Sequence, residues 1–145
     1  MRALVIAIGN PLRRDDGVAH AVRLPPGVER RDVLQLTPEL AEEIAPYDAV
    51  VFIDADASAG ELRIEPVNSL PSASPLTHVS KPAEIVALAR ALFGFSGGAY
   101  ACRIPASEFS IGRGLSPGAK GFASQVGREI GDLLATKTLA YPLGS

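Results

Sequence analysis

Two acidic positions and one histidine are the side chains of this chain best suited to work as a set. The acids Asp15 and Asp16 end a loop, Gly9-Asn10-Pro11-Leu12-Arg13-Arg14-Asp15-Asp16-Gly17, that follows an apolar run. Asp54 stands directly after a second apolar run, Ala49 to Ile53, and His78 falls in a long stretch rich in Ser, Pro and Thr. Two carboxylates and an imidazole can hold a divalent ion such as zinc or nickel and leave positions open for water or substrate. Spacing carries little of this argument, because only the fold can bring three such distant segments together. Each residue also has a plainer role. An acid at a strand end caps loops, and an acid pair favours the positive end of a helix. A lone histidine is more often a hydrogen-bonding group than a ligand. His20, about one helical turn beyond Asp16, competes with His78 for the same cleft. Cys102 sits inside an apolar strand and reads as a core residue.

The elements that must position these groups follow from hydrophobic pattern and turn chemistry. Ala3 to Ile8 is continuously apolar and ends at Gly9-Asn10-Pro11, as a strand buried on both faces does. Asp15 to Val22 predicts about two helical turns, closed by Leu24-Pro25-Pro26-Gly27. Asp32 to Leu36 predicts a second strand. Thr37-Pro38-Glu39 opens a helix running to about Ala45, with a capping hydroxyl, proline at the first helical position and an acid at the positive end. Ala49 to Ile53 is the third strand, and Glu61 to Val67 alternates imperfectly, as an edge strand does. After the irregular stretch 68–80, Ser80 is placed to cap a helix whose apolar face is Ile85, Leu88, Ala89, Leu92 and Phe93. Ala99 to Ile104 is the last strand, and Ser116-Pro117 opens a final helix lined by Phe122, Val126, Ile130 and Leu133.

One connection fixes the topology. Only residues 55–60 separate the third strand from the fourth, and a parallel crossover needs at least about 10 residues. The fourth strand must therefore run antiparallel, while the other connections are long enough for right-handed crossovers. The expected architecture is a three-layer α/β/α sandwich around a five-stranded mixed sheet of order 2-1-3-5-4. Its crevice lies where strands 1 and 3 diverge, at their carboxyl ends.

The bulk properties bound what this fold serves. A chain of 145 residues fits one domain, spanning 1–145. Hydrophobic residues make up 47% and charged residues 21%, an ordinary globular balance. The net charge of -2 gives no reason to expect nucleic acid or an acidic membrane as partner. The pairs Arg13-Arg14 and Arg30-Arg31 read as solvated faces, able at most to meet an acidic partner. A single cysteine excludes an internal disulfide and is compatible with a reducing cytoplasm. No stretch approaches the ~18 apolar residues of a membrane span, and no secretory leader is expected.

The motifs also resemble a known family. Met1 to Val18, with its strand and its Gly9-Asn10-x-Leu12-x-x-Asp15-Asp16-Gly17 loop, is similar to the amino-terminal signature of the hydrogenase maturation endopeptidases. Gln35-Leu36-Thr37-Pro38-Glu39-Leu40-Ala41 resembles the opening of that family's second helix. Ile53-Asp54-Ala55 resembles its strand-end Asp-Ala, and Ser74-Pro75-Leu76-Thr77-His78 its histidine loop. Ile111-Gly112-Arg113-Gly114-Leu115-Ser116-Pro117 resembles the start of its last helix. These segments occur in the family's order along nearly the whole chain. The early Leu24-Pro25-Pro26 departs from the pattern by shortening the first helix.

The resemblance implies that Asp16, rather than Asp15, joins Asp54 and His78 as the metal-binding and catalytic set. It implies an endopeptidase that removes the carboxy-terminal extension from the nickel-loaded precursor of a hydrogenase large subunit. Nickel would be supplied by that substrate and sensed through the three ligands. A metal-activated water is the simplest nucleophile, since no Ser or Cys stands beside a base, although activation by one carboxylate is also open. Leu12 and Val18 are apolar candidates for substrate contact. Two other readings compete: a non-catalytic binding module of the same fold, and a receiver-like signalling domain holding magnesium, which would require a parallel fourth strand.

Overall fold

A computed structural model of the chain describes residues 1–67 and 81–140. The strands are β1 (Ala3–Ile8), β2 (Glu29–Val33), β3 (Ala49–Asp56), β4 (Arg63–Pro66) and β5 (Gly98–Pro105). The helices are a 3-10 helix (Arg14–Ala21), α1 (Leu40–Ile44), α2 (Pro82–Leu92) and α3 (Pro117–Ala140). Every residue of β1 is buried, which explains its unbroken apolar sequence. It lies between the parallel strands β2 and β3; β5 continues the sheet parallel to β3, and β4 closes the edge antiparallel to β5. The order is β2-β1-β3-β5-β4, as the short link before β4 requires. Antiparallel β4 removes the parallel unit on which a receiver-like domain depends.

Strand alternation sorts the side chains into two cores. Val5 and Ala7, Val51 and Ile53, and Cys102 and Ile104 face the 3-10 helix and α3, where Val18, Val22, Val126 and Ile130 are fully or almost fully buried. Leu4, Ile6, Val50 and Phe52 face the other way, onto Leu40 and Ile44 of α1 and Ile85 and Val86 of α2. The sheet is thus the middle of three layers. Val18 belongs to this core and is withdrawn from substrate contact.

Three elements differ from expectation, each for a local reason. The helical turns expected from Asp15 to Val22 take the form of a 3-10 helix over Arg14–Ala21. Its carboxyl end is held by Arg30, whose guanidinium donates to the carbonyls of Val22 and Ala19 and also to Asp32. Arg30 therefore satisfies orphan carbonyls of a shortened helix, and Arg31 pairs with Glu43; neither is simply solvated. Strand β2 lies three residues earlier than the apolar pattern suggested. It is an edge strand carrying Glu29, Arg30, Arg31 and Asp32, charges that suit an edge, while Leu34 beyond it is 70% exposed. Helix α1 begins at Leu40, because the residues from Thr37 first form turns, with the Leu40 and Ala41 amides donating to the carbonyls of Thr37 and Pro38. Helix α2 starts with Pro82 in its first turn; the expected cap Ser80 lies outside the described residues.

Cys102 is almost fully buried in β5. Burial, aided by the nearby Glu129 charge, pushes its thiol up to about 12. The thiolate is the reactive form, so the native protein is expected to resist a disulfide reagent at pH 8 and to react promptly in guanidinium. Rapid labelling of the native form would contradict this packing.

Candidate functional site

The loop between β1 and the 3-10 helix is built by its own polar groups. Asn10 makes an Asx turn, its Oδ1 accepting from the Leu12 amide at 2.9 Å. The Asn10 amide donates to Asp16 Oδ2 at 2.8 Å. The loop folds back so closely that a Cβ on Gly9, at φ +144°, would lie 1.8 Å from the Asp16 carbonyl. A Cβ on Gly17 would lie 2.7 Å from Pro11 Cα. Glycine is required at both ends because backbone passes where a side chain would stand. The result fixes the Asp16 carboxylate against the carboxyl end of β1.

The two acids of the pair do different things. Asp15 is fully buried, the one such charged side chain among the described residues. Its carboxylate accepts from the amides of Ser107, Glu108 and Ser116 and from the Ser116 hydroxyl, at 2.8–3.2 Å. Burial alone would raise its pKa, but these bonds outweigh burial and hold it below the usual carboxylate range. Ser116 Oγ also accepts from the Ala119 amide, capping α3. Asp15 is thus a structural anchor and not a starter of an isolated helix, while the Asp16 carboxylate is held by the Asn10 amide just beyond β1.

Asp54 extends from β3, one residue beyond the Ala7–Ile53 pair that ends the β1–β3 register. It is exposed at its own surface yet crowded by protein, and this desolvation is the main reason its carboxyl is pushed up to about 6. The charges of Asp16 and Asp56 raise it further, while the Ala55 amide and Arg103 oppose the shift. The Asn10 amide holds the Asp16 carboxylate just beyond β1, and Asp54 stands at the same end of the neighbouring strand β3, so two of the three expected residues share one end of the sheet. Beside Asp54 opens a recess of about 500 Å³, walled by Asp56, Arg63, Lys81 and Arg103. Arg103 pairs across the sheet with Asp54. Its signal in the sequence is a charge at the end of an otherwise apolar strand.

The histidines resolve differently. His20 uses both ring nitrogens: Nδ1 is 2.7 Å from Asp32 and Nε2 is 2.7 Å from the Gly9 carbonyl. It braces the loop and is not available to a metal. His78 lies outside the described residues. Among the described residues no group of three or more His, Cys, Asp or Glu side chains could hold a metal ion, and no helix is long and apolar enough to cross a membrane.

Solved structures share this arrangement of strands and helices. The hydrogenase maturating endopeptidase HybD from E. coli superposes with a TM-score of 0.72 over 94% of both chains at 20% identity. The chain has the fold of the hydrogenase maturation proteases. The [NiFe] hydrogenase maturation protease HycI from Thermococcus kodakarensis KOD1 aligns over 92% of both chains (TM-score 0.67, 21% identity). HybD from Thermococcus kodakarensis aligns over 93% of this chain and 99% of its own (TM-score 0.63, 25% identity). No family profile and no curated protein sequence matches. The maturation-protease fold is thus retained here at low sequence identity.

Asp15 gives this loop a testable acid sensitivity. Its folded pKa is depressed, so its stabilisation is full above the unfolded value of about 3.9 and is lost as pH falls through the lower folded value. Asp15→Asn turns an amide NH2 toward donors, and a loss of roughly 3 kcal/mol in urea unfolding at pH 7 is expected, with a flatter acid limb. Unchanged stability would remove Asp15 from this role.

Proposed function

We propose that this chain is an endopeptidase that removes the carboxy-terminal extension of a nickel-loaded hydrogenase large-subunit precursor. The observation that supports the reading is the loop from Gly9 to Gly17, which fixes Asp16 just beyond β1, at the same end of the sheet as Asp54 of β3, in a chain with the maturation-protease fold. Nickel arrives with the substrate. Asp16, Asp54 and His78 are its ligands on this side, and binding there positions the scissile region. Desolvation and like charge make Asp54 costly to ionise beside Asp16, and a divalent cation between them offsets that cost. His78 precedes Lys81 by three residues in sequence, and Lys81 lines the recess that Asp54 walls.

The peptide bond is broken by water. Its oxygen joins the scissile carbonyl carbon, the C–N bond breaks and the departing amine takes a proton. Cys102 is a poor nucleophile, being buried with a raised pKa. Ser116 is committed to Asp15 and to the cap of α3. The reaction is assigned to the cytoplasm, where a single reduced thiol is at home.

The test is cleavage of purified precursor, with and without nickel, followed by mass. The wild type is expected to shorten only the loaded form. Asp16→Ala, Asp54→Ala and His78→Ala are each expected to lower the rate by roughly 100-fold or more, since even residues outside the metal's own ligands cost 10–100-fold. Their circular dichroism should match the wild type. Full activity in the His78 or Asp16 variant would overturn the assignment. Binding of precursor without cleavage by the wild type would favour a non-catalytic module.

A further inference from the structure

A groove of about 640 Å³, which shares no residue with the recess beside Asp54, lies between α3 and the chain that leaves the 3-10 helix. One close backbone approach builds it. A Cβ on Gly127 would lie 2.5 Å from the Arg23 carbonyl oxygen, so glycine there lets the segment Arg23-Leu24-Pro25 lie against α3. One turn further along α3 the walls stand apart, and a Cβ on Gly131 would meet only Pro25 Cγ, at 3.9 Å. The floor is apolar. Ala123 is buried in the core between the sheet and α3, and Leu24 and Leu115 are half-buried against that core.

The charges around that floor have one sign. Arg23, Lys120 and Arg128 line the groove, and no acid does. All three are exposed, and among the described residues none takes part in an ion pair. The neighbouring acids of α3 stand elsewhere: Glu129 accepts from Gln125, and Asp132 is not part of the lining. The groove is therefore a positive site on a chain whose net charge is -2. Its length narrows the choice of anion. Along α3 it runs from Lys120 to Gly131, about 16 Å of helix, and Lys120 and Arg128 are about 12 Å apart on the same axis. In an extended chain, two acids with three residues between them stand about 13 Å apart. The groove thus matches a short extended segment with acids at its ends and an apolar side chain between them.

We propose that this groove is a docking site for an extended acidic segment of a partner protein. The partner's apolar side chain rests on Leu24, Leu115 and Ala123, and its acids meet Lys120 at one end and Arg23 and Arg128 towards the other. The site is separate from the endopeptidase reading, because neither Asp16 nor Asp54 borders the groove. The cations steer and orient the segment, and the apolar floor distinguishes it from any other acidic stretch.

The experiment is fluorescence anisotropy of a fluorescein-labelled, end-blocked peptide, Glu-Glu-Leu-Glu-Glu, titrated with the full chain. The wild type is expected to bind it, more weakly as salt is added. Replacing the peptide's acids by Gln, or its Leu by Ser, should each weaken binding by roughly tenfold or more. Lys120→Glu with Arg128→Glu should abolish binding, while Lys120→Arg with Arg128→Lys should retain it. Gly131→Leu fills the groove without changing its charge and should also weaken binding. Melting temperatures matching the wild type establish that the variants are folded. No binding by the wild type overturns the docking site. Equal binding of the Ser peptide, or unchanged binding by Gly131→Leu, overturns it by reducing the groove to surface charge. Tighter binding to phosphatidylglycerol vesicles through the same cations would assign the groove to a membrane instead. A wild-type dimer in sedimentation that the Lys120→Glu, Arg128→Glu variant loses would assign it to a second copy of the chain.

Discussion

The buried carboxylate of Asp15 is the constraint from which the rest of the site follows. A carboxylate is an acceptor with room for about four donors, and here four donors converge on it from two regions of the chain. Three are amides in the segment that links β5 to α3, and the fourth is the hydroxyl that caps α3. One side chain thus joins the loop after β1 to the start of the longest helix, some hundred residues away in sequence. In a 3-10 turn successive side chains are about 120° apart. When Asp15 points inward, its neighbour Asp16 must point elsewhere, and the Asn10 amide and the two glycines direct it to the end of β1. The two adjacent acids therefore have separate partners, Asp15 in the segment before α3 and Asp16 at the Asn10 amide.

The sheet then decides what Asp16 meets. Strand order reverses around β1, with β2 on one side and β3 on the other, and parallel sheets open a crevice at such a point. Asp54 stands near the carboxyl end of β3, where burial first, and then the charges of Asp16 and Asp56, raise its pKa. From the β2 side, Asp32 holds His20 against the Gly9 carbonyl at the start of the same loop, and Arg30 ties Asp32 to the end of the 3-10 helix.

Much of the fold was legible because it depended on patterns of long range in the sequence. The apolar runs of β1 and β3 identified the central strands, and the six residues 55–60 dictated the antiparallel β4. The less legible parts depended on specific side-chain bonds. The register of β2 was masked by Leu34 and Leu36, since charged residues pair well at an edge when Arg30 has carbonyls to cap. The buried role of Asp15 was invisible to spacing, because its donors lie at Ser107, Glu108 and Ser116; the preference for Asp16 as a ligand rests on resemblance. His20 stood at helical spacing from Asp16, but the Gly9 carbonyl and Asp32 engage it instead.

The most direct measurement of the central claim is the location of a metal bound to the isolated protein, by anomalous diffraction from crystals soaked in nickel or zinc. One ion is expected between Asp16 and Asp54 with His78 as third ligand, at bond lengths of about 2.0–2.2 Å. Asp15 and His20 should remain in their hydrogen bonds. An ion held by His20 or Cys102, or by Asp54 without Asp16, would contradict it.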